Sequence, residues 1–278
     1  MTETDTALAP ILDFLSEKRG FDLAGCHREM LVRRIGKRLA ATACGDFGEY
    51  LACLRRDTNE LDRLIDVVTI NVSRFFRDSL TFELIADRIL PVMVREKAGV
   101  GDSSPRIWSA GCAGGQEPYS VAILLHELQE KEGRKLDLHL FATDIDAGAL
   151  KVAREALYTL SDVEHMKHRL LLKYFAPEGA SFRLVSEIRA AVHFSLFDML
   201  DKQRGVPHES VFGGFDMVFC RNLLIYFNPE YQVRIFEKLH HALARNGYLI
   251  RGEAETPPPT LRHLFKRVFE FSPIYRKS

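Results

Sequence analysis

Arg106-Ile-Trp-Ser-Ala-Gly-Cys-Ala-Gly-Gly-Gln-Glu-Pro-Tyr-Ser120 is the stretch from which the fold is read. Ile107, Trp108 and Ala110 form the end of a predicted buried strand. Gly111, Gly114 and Gly115 then allow a tight turn and a close approach of backbone to a ligand. Pro118 suits the first turn of a helix, and Val121, Ala122, Leu124, Leu125 and Leu128 continue it at helical spacing. Strand, glycine turn and helix together are the ligand-binding unit of a doubly wound α/β fold.

The spacing Gly111-x-x-Gly114-Gly115 is not the dinucleotide fingerprint, and no Gly-Lys-Ser/Thr follows to make a P-loop. Glu117 stands where a pyrophosphate would lie and repels one. A carboxylate there suits a positively charged ligand. S-adenosylmethionine fits that description, with a sulfonium, an ammonium and no phosphate. The same turn can also serve only as a connector.

The bulk composition narrows the class. With 278 residues, 46% hydrophobic and 27% charged, the chain can bury a substantial core. Its formal net charge is zero, so a surface for nucleic acid or an acidic partner has to be local. Five cysteines without a C-x-x-C pair point to free thiols in a reducing compartment. The N-terminus is polar and acidic, unlike a signal peptide, and no apolar run approaches the roughly 20 residues of a membrane span. The expectation is a soluble cytoplasmic protein without membrane insertion.

Residues 1–78 read as a helical domain with a linker. Ile11, Leu12, Phe14 and Leu15 begin one helix, which Gly20 stops. A second, from Cys26 to about Thr42, carries Arg28, Arg33, Arg34, Lys37 and Arg38 against the single acid Glu29. Others follow Asp46 and cover about 60–69. The basic face is either solvated or a dock for an acidic partner. No aromatic residues interleave with the arginines, which argues against single-stranded nucleic acid.

Residues 79–278 read as the α/β part. A helix ending near Pro91 leads into it, and Leu136 to Thr143 forms a second strand ending in Asp144-Ile-Asp146. An acid at that place grips ribose hydroxyls in such folds. Asp146 can equally cap the following helix, so the ribose is assigned to Asp144. Residues of about 160–195 read as a small antiparallel insert, with strands at Phe182–Val185 and Ile188–Phe194. Its edge is suited to a peptide strand. His165 and His168 have no further ligands arranged to complete a zinc site, so no metal is expected. Phe215 to Cys220 is a buried strand leading into Arg221-Asn222-Leu-Leu-Ile-Tyr226. Tyr248–Arg251 and Val268–Tyr275 form a terminal hairpin.

Four runs, in this order, resemble the CheR-type chemotaxis receptor methyltransferases. They are Asn71-Val-Ser-Arg-Phe-Phe-Arg77, Trp108-Ser-Ala-Gly-Cys with Gln116-Glu-Pro-Tyr-Ser120, Phe141-Ala-Thr-Asp-Ile-Asp146, and Phe219-Cys-Arg-Asn-Leu-Leu-Ile-Tyr-Phe227. The resemblance implies a Rossmann-like class I methyltransferase sheet with an N-terminal helical domain and a small inserted antiparallel β subdomain. It implies S-adenosylmethionine as cofactor, S-adenosylhomocysteine as product, and chemoreceptor glutamates as substrate. Residue by residue, it places Asn71, Ser73 and Arg77 beside the methyl donor, Glu117 at its methionine part and Asp144 at the ribose. It places Asp198 and Met199 at the adenine, Asn222 and Leu223 behind the cofactor, and Tyr226 near the transferred methyl. Arg33, Arg34, Lys37 and Arg38 would dock the receptor's helices, and the small sheet would support a receptor C-terminal peptide.

Three departures from the family pattern stand out: Ser73 for a frequent threonine, Gly115-Gln116-Glu117 where a pair of glutamates is usual, and Gly252-Glu-Ala-Glu255 for Gly-His-Ser-Glu. The absence of a histidine from the four runs agrees with the chemistry. A glutamate, with a pKa near 4.3, is already ionised at neutral pH, so methyl transfer to it needs alignment and no general base. Arg77 and Tyr226 are the expected catalytic pair. The alternatives are a same-fold carboxyl methyltransferase acting on another protein or a small acid, and a cofactor-binding signalling module without turnover.

Overall fold

The computed structural model describes residues 3–19, 23, 25–69, 71–99, 104–210 and 214–278. Four helices come first: α1 (Glu3–Arg19), α2 (Arg28–Ala40), α3 (Phe47–Arg56) and α4 (Thr58–Thr69). Leu8, Ile11, Leu15, Leu31, Ile35, Leu54 and Leu64 fill the space between them. Asp46 starts α3 as read from the sequence, its side chain accepting the Glu49 amide. Gly20, the expected stop of α1, lies outside the described residues.

Next come α5 (Ser79–Leu84), a π-turn (Ile85–Ile89) and α6 (Leu90–Gly99). Pro91 does not end this helix, contrary to the sequence reading. It has no N–H to give, and the wider π-turn just before it, with the Leu90 amide on the Ile85 carbonyl, lets the helix run on through it.

The remainder is α/β. In chain order it runs β1 (Arg106–Ala110), α7 (Gln116–Glu132), β2 (His139–Asp144), α8 (Ala147–Glu155), β3 (Leu157–Tyr158), α9 (Leu160–Val163), α10 (His168–Tyr174), β4 (Phe175–Glu178), β5 (Ser181–Leu184) and α11 (Ser186–Ala190). Then follow β6 (Val192–Leu196), β7 (Phe215–Cys220), α12 (Pro229–Ala242), β8 (Leu243–Arg251), β9 (Phe265–Arg267) and β10 (Ile274–Lys277). The main sheet has the order β6-β2-β1-β7-β8-β10-β9. Strands β6, β2, β1, β7 and β8 are parallel, and β10 runs antiparallel to both neighbours. Strand order reverses direction between β1 and β7, so a crevice opens at their carboxyl ends.

Two sequence expectations shift here. The insert is a three-stranded antiparallel sheet, β3-β5-β4, and does not include 188–194. Ser186–Ala190 is helical and buries Ile188, while Val192–Leu196 pairs in parallel with β2, Val192 opposite Leu140. A short apolar run looks the same in either setting, because its partner is distant in sequence. The terminal hairpin is also displaced. β8 begins at Leu243 and bulges at Asn246, whose φ is +64°, before Tyr248 pairs with Met217. Its antiparallel neighbour is β10, at Ile274–Lys277, and 268–273 turn between β9 and β10.

Candidate active site

The crevice at the carboxyl ends of β1, β2 and β7 is a narrow cleft of about 80 Å³. Asn71, Ser73, Arg77, Gly111, Glu117, Asp144, Asn222, Leu223 and Tyr226 all line it, with Val72, Ala113 and Arg221. Three loops and the 71–77 segment, distant in sequence, thus meet at one place. Asp198 and Met199 are not among the lining residues. They follow β6 at the same edge, where Asp198 accepts the Leu200 amide and Met199 packs in the core near Trp108.

The floor is acidic and buried. Glu117 accepts the Ser109 hydroxyl at 2.7 Å and Arg221 Nη1 at 3.2 Å. Burial pushes its carboxyl pKa up, against the pull of Arg221 and Ser109. Asp144 accepts the Ala113 amide at 2.8 Å and the Asp146 amide at 3.0 Å. Burial raises its pKa too, against those two amides. Gly111 turns at φ +75°, and a Cβ there would meet Leu223 Cδ2 at 3.0 Å, so glycine is what lets the Leu223 side chain close on the turn.

Asp146 does cap α8, accepting the Gly148 and Ala149 amides. Its other oxygen receives the Thr69 hydroxyl at 2.8 Å and the Asn71 amide group at 2.6 Å. Asn71 therefore borders the cleft with its NH₂ already bound to Asp146, and that contact ties the helical unit to the sheet. A second tie runs from the His27 amide to the Tyr226 carbonyl, 2.9 Å.

Arg77 sits between two left-handed non-glycine residues, Phe76 at φ +52° and Asp78 at φ +61°. Such conformations persist only where the surroundings hold them. Arg221 does so: its Nη2 donates to the Arg77 carbonyl at 2.7 Å and to Asp78 at 2.6 Å. The Phe76 amide donates to Ser120 Oγ at 3.0 Å. Arg221 is thus a buried cation joining Glu117, Asp78 and the backbone that presents Arg77. The sequence offered only its position just beyond a core strand. Glu255 was also unforeseen. It accepts the amides of Asn222, Leu224 and Gly252, and so holds Asn222 at φ +55°. The Gly252-x-x-Glu255 segment is therefore a brace for the Asn222 loop.

The four α2 cations expected to dock a receptor, Arg33, Arg34, Lys37 and Arg38, divide. Arg33 and Lys37 are exposed. Arg38 makes two bonds to buried Glu60, at 2.6 and 2.7 Å, with Tyr50 adding a third at 2.9 Å. Arg34 donates to the Val67 carbonyl at 2.7 Å and lies 5.8 Å from the Tyr226 ring. Two of these four are therefore internal structure.

The donor set suits S-adenosylmethionine. It includes two buried carboxylates, acceptors of the kind that a cation and ribose hydroxyls would need, and among the described residues Asn222 Oδ1 is buried with no hydrogen-bond partner. Among the described residues no helix is long and apolar enough to cross a membrane.

Comparison with known proteins identifies the family. The chain is 33% identical over 259 residues to a chemotaxis protein methyltransferase of Salmonella typhimurium, covering 91% of this chain and 84% of that protein. It is 32% identical to chemotaxis protein methyltransferase 2 of Pseudomonas aeruginosa, covering 85% of this chain and 81% of that protein. A Borreliella burgdorferi chemotaxis protein methyltransferase is 28% identical, with 91% and 89% covered. Residues 6–69 match the all-alpha domain of CheR methyltransferases, and residues 71–271 match their SAM binding domain. The chain therefore belongs to the CheR methyltransferase family, whose members are S-adenosylmethionine-dependent methyltransferases.

Proposed function

We propose that the protein transfers a methyl group to glutamate side chains of chemotaxis receptors, forming methyl esters in sensory adaptation. The observation that carries this reading is the polarity of the cleft: buried Glu117 and Asp144 on the sheet side, half-buried Arg77 on the other. The acids suit a cationic donor and the arginine suits an anionic acceptor.

When bound, S-adenosylmethionine supplies an electrophilic methyl on its sulfonium. Asp144 would accept from the ribose hydroxyls, Glu117 would face the ammonium, and Asn222, Leu223, Ser73 and the Gly111 turn would shape the pocket. Asp198 and Met199 serve the adenine end from beyond β6. Arg77 holds the incoming carboxylate by its planar fork, and Tyr226 adds a hydroxyl contact. The carboxylate is ionised before it arrives, so none of the described lining residues has to take a proton. Arg33 and Lys37 are the α2 cations available to an acidic receptor surface. The edge of β4 is the place for a receptor peptide.

Single-turnover transfer of labelled methyl to a receptor signalling-domain fragment tests this. At saturating cofactor the rate is expected to be nearly flat from about pH 6 to 8 and to fall only in acid. An inflection near 6.5 would mark a histidine base instead. Transfer to small acids alone would exclude the receptor substrate.

A further inference from the structure

A second cavity lies behind the Arg77 segment. It measures about 290 Å³, larger than the cleft itself. One wall is α5 and the π-turn, with Ser79, Phe82, Glu83, Ala86 and Asp87; the facing wall is α7, with Leu124, Glu127, Leu128 and Lys131. Phe76 and Leu170 complete an apolar floor. The π-turn is a rare local geometry, found often at functional sites.

The charges at its mouth are mostly spent. Glu83 pairs with Lys167 at 2.5 Å, and Glu127 takes Arg169 and Lys173. Among the described residues, two of the lining charges have no ion-pair or hydrogen-bond partner: Asp87 on the π-turn and Lys131 on the facing helix. The cavity therefore joins an apolar floor to one exposed charge of each sign at its mouth, neither held by a protein partner among the described residues. Its volume lies just below the roughly 300–1,000 Å³ typical of small-molecule sites. That is room for a molecule of about one amino acid's bulk.

The cavity also touches the catalytic machinery from the rear. Phe76 and Phe82 meet edge to face at 5.5 Å, and the Arg221 guanidinium lies 5.3 Å from the Phe82 ring. Phe76 and Arg77 are consecutive, so one face of this strained segment lines the cavity and the other lines the cleft.

We propose that this cavity is a regulatory site for a zwitterionic apolar amino acid, with its side chain on the Phe82–Leu124–Leu170 floor, its carboxylate toward Lys131 and its ammonium toward Asp87. An occupant there bears on Phe76 and Phe82, and through Arg221 biases the cleft. Because the coupling is thermodynamic, occupancy of each site changes the affinity of the other by the same factor.

Calorimetric titration of the full chain with L-phenylalanine tests this without relying on methyl transfer, so its outcome is independent of the activity proposed above. Saturable binding in about the millimolar range or tighter is expected. Phenethylamine and 3-phenylpropionate, each lacking one charge, should bind about tenfold or more weakly. Ala86→Trp, which fills the cavity, and Lys131→Glu, an exposed change that leaves the core intact, should each abolish the heat. Saturating phenylalanine should change the dissociation constant of S-adenosylhomocysteine by about fivefold or more, and the reverse titration should give the same factor. No saturable binding up to about 10 mM, or binding unaltered in both variants, would overturn the site. Equal binding of the singly charged analogues would overturn the ligand class, and an unchanged S-adenosylhomocysteine affinity would overturn the coupling.

Discussion

Replacing Arg221 separates positioning from binding. Its guanidinium makes three contacts with two acids and a carbonyl, and its side chain is 2% exposed. Removing one partner of a buried ion pair costs about 3–5 kcal/mol. Asp78, with its side chain 24% exposed, regains water, so Arg221→Met should sit near the lower end, about 3 kcal/mol. Arg221→Lys keeps the charge but cannot span all three acceptors, and each charged hydrogen bond lost costs about 1.5–3 kcal/mol. The kinetic effect should be larger than the effect on affinity. Phe76 and Asp78 each hold a left-handed backbone costing roughly 1 kcal/mol or more, and without the clamp the segment relaxes. A displacement of Arg77 by about 1 Å is worth about 10²-fold in rate. Glu117 keeps its Ser109 bond, so S-adenosylhomocysteine affinity should change less than roughly tenfold, about 1.4 kcal/mol. The assay is single-turnover methyl transfer per folded molecule, beside calorimetry with S-adenosylhomocysteine and a thermal melt. An Arg221→Lys variant that is less stable yet transfers methyl at the wild-type rate would reduce Arg221 to a core residue and refute the positioning role.

Arg77→Ala should slow transfer about 10²-fold, with Arg77→Lys recovering only part, as read by the same single-turnover assay. Asp144→Ala should lose the stabilisation by S-adenosylhomocysteine, about 2.7 kcal/mol at 100 times its dissociation constant, in a thermal-shift measurement. Because burial raises the Glu117 and Asp144 pKa values, cofactor affinity should weaken on acidification sooner than an ordinary carboxylate near 4.3 would allow; calorimetry from pH 8 to 5 checks this. Glu60 has the opposite sign. The Arg38 bonds lower its folded pKa, so its contribution to stability is present above its unfolded pKa and lost as pH falls through the folded value. Glu60→Gln should therefore flatten the acid limb of a denaturant-unfolding series. Arg33→Glu with Lys37→Glu should slow receptor methylation and leave the melt unchanged, whereas Arg38→Glu should lower stability by placing two acids together.

What the sequence disclosed and what it withheld follow from the range of each interaction. The Gly111 turn, the helix start after Asp46, the Asp146 cap and strands β1 and β7 are local patterns, and they stand where they were read. β6 was assigned to the wrong sheet because its partner, β2, is about fifty residues away. Pro91 misled because the π-turn that accommodates it leaves no compositional trace. The basic stripe on α2 looked uniform, and only packing shows that Arg38 belongs to Glu60 on α4. Arg221 and Glu255 were hidden for the same reason. Each acts on backbone brought beside it by the fold, Arg221 on residues more than 140 positions earlier.

The proposed reaction is esterification of a receptor glutamate in this cleft. The most direct measurement incubates the protein with methyl-labelled S-adenosylmethionine and a receptor signalling-domain fragment, then treats the labelled fragment with mild base. Ester formation predicts label released as methanol, confined to glutamate-bearing peptides, and lost when those glutamates are changed to alanine. Label that resists base, or that remains after the glutamates are gone, would place the methyl on another kind of group and rule out glutamyl ester formation.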